Sequence, residues 1–241
     1  MRFFIIRKRK NNLKTSIFNR RQALILMLAF ATFFSTFALA SEKDEAKEKV
    51  EAREVFSKLQ TQALDILPVS TRLDMLDYWD ADSTYKASNV MEGLSWIENL
   101  NPGYMKIRLT GVSTLEIKVL PAKKGELIMT VYSVGASPQA TDSQVDFYDA
   151  SLNKLETGKY LEIPSLDDFF EIPKGSLTKM KEIKELIPFP TVAYSVAADA
   201  DVLYATLTVE DYLSQDDLNV IKLFLKRQIT SEWKKEKFKF K

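Results

Sequence analysis

The chain has 241 residues, enough for one large domain or two small ones, and its 46% hydrophobic and 28% charged residues are ordinary globular proportions. It contains no cysteine and no histidine, which excludes disulfides, thiolate zinc sites, thiol nucleophiles, Ser-His-Asp triads and imidazole bases. The net charge of +1 joins two unlike parts: residues 1–40 hold eight Lys/Arg and no acid, and the rest holds 26 basic against 33 acidic residues, a formal −7 that argues against a general nucleic-acid binder.

The first element is a leader. A basic flank from Arg2 to Arg21 precedes an apolar run from Ala23 to Ala38, and Ala38-Leu39-Ala40 stands before Ser41. That is the order of a secretory signal, with small residues at the cleavage site. The expectation is a signal peptide over 1–40 and a mature chain from Ser41, exported to the periplasm or cell envelope. The alternative is an uncleaved anchor, for which the run is short. A lipoprotein is excluded, since lipid attachment at an export signal needs a cysteine.

Ser41–Lys58 is rich in Glu, Lys and Ala, which predicts a helix whose first turns are solvated. Its apolar residues come late, at Val50, Val55, Phe56, Leu59, Ala63 and Leu64, and Pro68 closes it. Thr71-Arg72-Leu73-Asp74 reads as a capping box opening a second helix that buries Leu73, Leu76, Tyr78 and Trp79. From Tyr104 the period becomes two. Met105, Ile107 and Leu109 alternate with Lys106 and Arg108, and Leu115, Ile117 and Val119 with Glu116 and Lys118. Two half-buried strands follow, with Leu109 expected opposite Leu115, Ile107 opposite Ile117, and Arg108 opposite Glu116 on a polar face. Leu127–Val134 reads as a central strand and Val145–Tyr148 as a fourth. Ser165–Asp168 is another capping box. Thr191–Ala197 and Val202–Val209 predict a hairpin, and Ser214–Asp217 caps a helix carrying Leu218, Ile221, Leu223, Phe224 and Leu225. Ile229–Trp233 and Lys237–Lys241 predict a last β-ribbon. The expected fold class is α+β: N-terminal helices packed on an antiparallel β-meander, then a C-terminal β-hairpin–helix–β segment. Residues 41–241 are expected to form one domain, with 41–58 a solvated helical extension.

Short phrases carry a resemblance. Ile66-Leu67-Pro68 with Arg72–Tyr78, Ser113–Pro121, and Asp146-Phe147-Tyr148-Asp149 resemble an uncharacterised exported family of Bacteroides-type bacteria, the domain of unknown function three-two-five-six. The likeness covers most of residues 55–240. It implies a bacterial envelope protein and transfers no catalytic residue.

Candidate sites are weak. Asp74, Asp77, Asp80 and Asp82 form the densest acidic group, but Asp80–Tyr85 lacks the sixth-position glycine of a calcium loop, and Met91 stands where its twelfth-position acid belongs. A helix-start acid and a solvated face explain the group better. Ser176-Leu177-Thr178-Lys179 has S-x-x-K spacing without its companion motifs and reads as a helix start. Trp233 to Lys241 interleaves aromatics with lysines, which could face nucleobases or lipid; an edge strand guarded by lysines is the plainer reading. Asp82-Ser83-Thr84 resembles a short acceptor for O-linked glycans. Carboxylate-pair hydrolysis needs no histidine, yet the sequence singles out no pair. No catalytic, cofactor-binding or metal-binding residue is assigned, and no cofactor or metal is expected. The expected function is a non-enzymatic envelope module that binds an envelope protein or a glycan, touching membrane only through the N-terminal segment before cleavage. The alternative is a carboxylate-dependent hydrolase of glycan or peptide. In the fold, a cleft holding two acids about 5–9 Å apart favours hydrolysis, and an aromatic-lined surface favours binding.

Overall fold

A computed structural model describes residues 49–137, 140–173 and 177–240. The expected leader lies outside them. Helix α1 (Ala52–Lys58), a 3-10 turn (Gln62–Leu64) and helix α2 (Val69–Asp80) come first. Strands β1 (Ala87–Ser88), β2 (Leu94–Asn101), β3 (Tyr104–Arg108), β4 (Ser113–Ala122), β5 (Gly125–Gly135), β6 (Thr141–Asp149) and β7 (Lys154–Leu155) then form one seven-stranded antiparallel meander in chain order. The remainder holds α3 (Thr157–Tyr160), β8 (Leu161–Glu162), a 3-10 turn (Leu166–Phe169), α4 (Leu177–Leu186), β9 (Val192–Val196), β10 (Val202–Leu207), α5 (Gln215–Lys222), β11 (Ile229–Glu232) and β12 (Phe238–Lys239). The class is α+β, with helices on the meander as expected.

Both faces of the meander are covered. On one, Phe56, Leu59, Leu67 and Met75 of the N-terminal helices and their connections pack on Ile107, Leu115, Ile117 and Ile128. On the other, Met129, Val131 and Phe147 meet a second sheet, β11-β10-β9, backed by Ile183, Leu218 and Ile221 of the later helices. The second layer changes the reading of β4. Its alternating polar residues look solvated in sequence, yet Glu116 and Lys118 are both 5% exposed.

The register of the first hairpin is a correction. Met105 faces Ile117, Ile107 faces Leu115, Lys106 faces Glu116 and Arg108 faces Thr114. Each pairing is shifted by two from the expected one, so Ile107 and Ile117 still share a face. Alternation specifies which face a residue takes; it does not distinguish registers differing by two. The turn decides: Leu109 N–H donates to the Ser113 carbonyl at 3.0 Å and the Thr110 and Ser113 hydroxyls meet at 2.7 Å, centring the loop on Gly111. Arg108 pairs instead with Glu98, at 2.8 Å.

Two more expectations fail at the N-terminus. The first helix stops at Lys58 rather than running on to Pro68, and the second starts at Val69 with Pro68 as N-cap, so Thr71 lies inside its first turn. Its buried stripe is Arg72, Met75 and Leu76, with Leu73 and Tyr78 exposed. The cause is Arg72, whose guanidinium donates to the Phe56 and Leu59 carbonyls at 2.8 Å each. That turns position 72 inward and carries 75, 76 and 79 with it at helical spacing. Strand β2 was not anticipated, because a bulge between Ile97 and Asn99 breaks its period.

The C-terminal expectations fare better. The β9–β10 hairpin pairs Leu203 with Val196. Ser214 caps α5 by accepting the Asp217 N–H at 3.1 Å, although Leu223 lies exposed. The Ser165 box closes, with Asp168 accepting the Ser165 N–H at 2.7 Å. The last ribbon does not form: β11 pairs with β10, and β12 pairs in parallel with β8. A single Lys234–Lys237 bridge is what stands in its place. Phe238, fully buried, draws the tail into the core.

Candidate functional site

The site begins where α2 ends. Asp82 N–H donates to the Trp79 carbonyl and Ser83 N–H to the Tyr78 carbonyl, both at 3.0 Å. Asp82 takes φ of 52°, a left-handed angle that aspartate tolerates better than most residues. The chain thereby reverses, and the Tyr85 ring stacks on Tyr78 with centroids 4.0 Å apart. Pairing of Ala87 with Ser95 then sets Lys86 beside β2, its ammonium 4.5 Å from the Trp96 ring centroid.

A buried asparagine steadies this wall. The Asn89 amide donates to the Ser95 hydroxyl and the Leu109 carbonyl, and its oxygen accepts the N–H groups of Met91 and Gly93, all at 3.0 Å. All four capacities of the amide are thus used, which fixes the β1–β2 turn.

Between α2 and β2 lies a cleft of about 470 Å³, floored by Met75 and Ile97 and walled by Trp79, Tyr85 and Trp96. Asp82, Ser83, Thr84 and Lys86 complete its lining, all four exposed to solvent. Apolar walls with a few polar groups are the usual make-up of a small-ligand site. One carboxylate lines it, so the cleft lacks the acid pair that hydrolysis requires.

The acids and motifs singled out in the sequence are dispersed. Asp80 pairs with Arg53 at 2.6 Å, and Asp82 sits on the cleft. Asp74 and Asp77 are exposed. Among the described residues no three potential metal ligands converge. Ser176 lies outside the described residues, and Lys179 pairs with Glu182. The aromatics of the tail are structural: Trp233 donates its indole N–H to the Pro121 carbonyl at 2.8 Å and packs on Phe238. Lys234 and Lys239 meet Glu232 and Glu162 at 2.6 and 3.2 Å.

Glu116, the one fully buried acid among the described residues, faces the second sheet. Its carboxylate accepts the Val196 N–H at 3.0 Å and the Tyr104 hydroxyl at 3.2 Å. Burial lifts its pKa above the ordinary carboxylate range, against the pull of the Val196 N–H. Lys118 alongside donates to the Ala197 and Ala198 carbonyls at 3.1 and 3.2 Å. These two side chains pin the β9–β10 hairpin to the meander.

Sequence reasoning missed Tyr85, Lys86 and Trp96, and took Trp79 for a core residue. One signal was available: two of the three tryptophans flank a single helix exit.

An aromatic cleft on a two-faced α+β meander describes the class. The chain belongs to the family described as Protein of unknown function (DUF3256), which matches residues 46–238. It is similar to the solved domain of an uncharacterized protein from Porphyromonas gingivalis W83, with 22% identity and a TM-score of 0.67 over 80% of this chain and 98% of that one. That likeness shows the fold. No curated protein matches the chain.

Proposed function

We propose that the protein is an exported, non-enzymatic module of the cell envelope that binds its partner through the aromatic cleft. The cleft itself carries the reading: exposed polar groups beside half-buried indoles form a recognition surface, and a lone acid gives hydrolysis no second carboxylate. Export rests on the basic flank, the apolar run and Ala38-Leu39-Ala40. Among the described residues no helix is long and apolar enough to cross a membrane.

Two measurements test this. Intact mass of the envelope-fraction protein is expected to begin at Ser41; a species retaining Met1 identifies an anchor instead. The protein purified from that fraction is expected to co-sediment saturably with isolated cell-wall sacculi or outer-membrane fragments, releasing no soluble products. Trp79→Ala with Trp96→Ala is expected to weaken this by about tenfold or more, as loss of aromatic anchors does, with the circular dichroism spectrum unchanged. Release of products that stops on removal of one acid overturns the reading in favour of the hydrolase.

A further inference from the structure

We infer that the ligand class of this cleft is a neutral saccharide, a polyhydroxylated ring laid against the indoles and hydrogen-bonded at the rim; this rests on the binding reading above. The three tryptophans differ in a way that points there. Trp233 has its indole N–H on the Pro121 carbonyl and its rings packed against Phe147, Tyr160 and Phe238. Trp79 and Trp96 are only half-buried, and among the described residues neither indole N–H has a hydrogen-bond partner within the chain. The hydroxyls of Ser83, Thr84 and Tyr85 and the Asp82 carboxylate are likewise without one. The cleft therefore offers aromatic rings, one of them, Trp96, with the Lys86 ammonium over it, interleaved with indole N–H donors, hydroxyls that donate and accept, and one carboxylate.

Charge narrows the class. Lys86 and Asp82 place one charge of each sign on the lining, so a cation meets the ammonium and an anion meets the carboxylate. An apolar peptide side chain would cover the indole N–H and hydroxyl groups without pairing them, a cost that falls on the complex. A sugar ring has an apolar face of C–H groups and a periphery of hydroxyls that both donate and accept, and it satisfies the two kinds of surface together. The volume of about 470 Å³ suits a small ligand.

The test is titration of the protein purified from the envelope fraction with cellohexaose, chitohexaose and mannohexaose, followed by tryptophan fluorescence and calorimetry. Saturable binding of at least one is expected, abolished by Trp79→Ala with Trp96→Ala and kept by Trp233→Phe. Ser83→Ala with Thr84→Ala touches two exposed hydroxyls, so folding is spared, and affinity is expected to fall about fivefold. If none of the three binds up to millimolar concentration while the double tryptophan variant still loses co-sedimentation, the saccharide inference is overturned and the cleft reading stands. If the double variant co-sediments like the wild type, both fall.

Discussion

Arg72→Ala is expected to lower the unfolding free energy by about 3–5 kcal/mol, from two orphaned buried carbonyls and the vacated volume. Arg72 is 3% exposed and has no carboxylate partner among the described residues; its two bonds go to the Phe56 and Leu59 carbonyls at the end of α1. A helix end leaves its last carbonyls unsatisfied, and burial removes water as a substitute. The guanidinium is therefore the C-cap of α1, delivered from α2. Burial lowers its pKa, which reflects the cost of holding the charge there, and the Nε atom has no partner among the described residues. Both bonds leave the same Nη1, so Arg72→Lys is expected to recover part of the loss: an ammonium also carries several donors on one nitrogen, but on a shorter side chain. Urea unfolding of both variants checks this. A loss under about 1 kcal/mol for Arg72→Ala would mean that water enters and caps α1 instead.

The same residue explains what the sequence could and could not convey. Alternation marks the strands around Ile107 and Ile117, an apolar run on both faces marks the one around Val131, and side-chain oxygens mark the helix starts after Ser165 and Ser214, because those signals are local. Nothing local tells that Arg72 points inward, since its partners lie 13 and 16 residues earlier. Leu73 and Tyr78 are the apolar residues the sequence offers for the buried side, and the inward turn of Arg72 leaves both exposed. The register failed for a related reason. Period-two patterning is blind to a two-residue slip, and the choice rested with the hydrogen bonds of Thr110 and Ser113. The cleft was the least legible feature, because Trp79 and Trp96 come together only after β2 forms, and its bulge hides that strand from periodicity.

Glu116 gives the second large effect, and its sign depends on pH. The folded carboxyl binds its proton more tightly than the unfolded one, whose pKa is the ordinary 4.5, because burial penalises the charged form. Between that value and the raised one the native state carries more protons than the unfolded chain. Stability from this group is thus full below the ordinary pKa and declines as pH rises through the folded value. The surrounding charges do not cancel the effect: Lys106 and the Tyr104 hydroxyl favour the anion, Glu98 opposes it, and burial leads. Glu116→Gln keeps an oxygen for the Val196 N–H and carries no charge, so it is expected to exceed the wild type in stability at pH 7. The two should converge as pH falls to about 4. Glu116→Leu removes the charge as well but leaves the Val196 N–H and the Tyr104 hydroxyl buried without an acceptor, so it should fall below Glu116→Gln by about 2–4 kcal/mol at pH 7. Denaturant melts of the three proteins from pH 4 to 8 separate the terms. A constant gap between wild type and Glu116→Gln across that range would show that burial does not raise the carboxyl, and near-equality of the leucine and glutamine variants would show that the pin to β9 needs no hydrogen bond. The carboxylate takes one of three N–H groups that the edge strand β9 presents to the meander, Val192 donating to Asp142 and Tyr194 to the Ser143 hydroxyl, so an apolar residue at 116 can pack but leaves the Val196 end of the strand without its anchor.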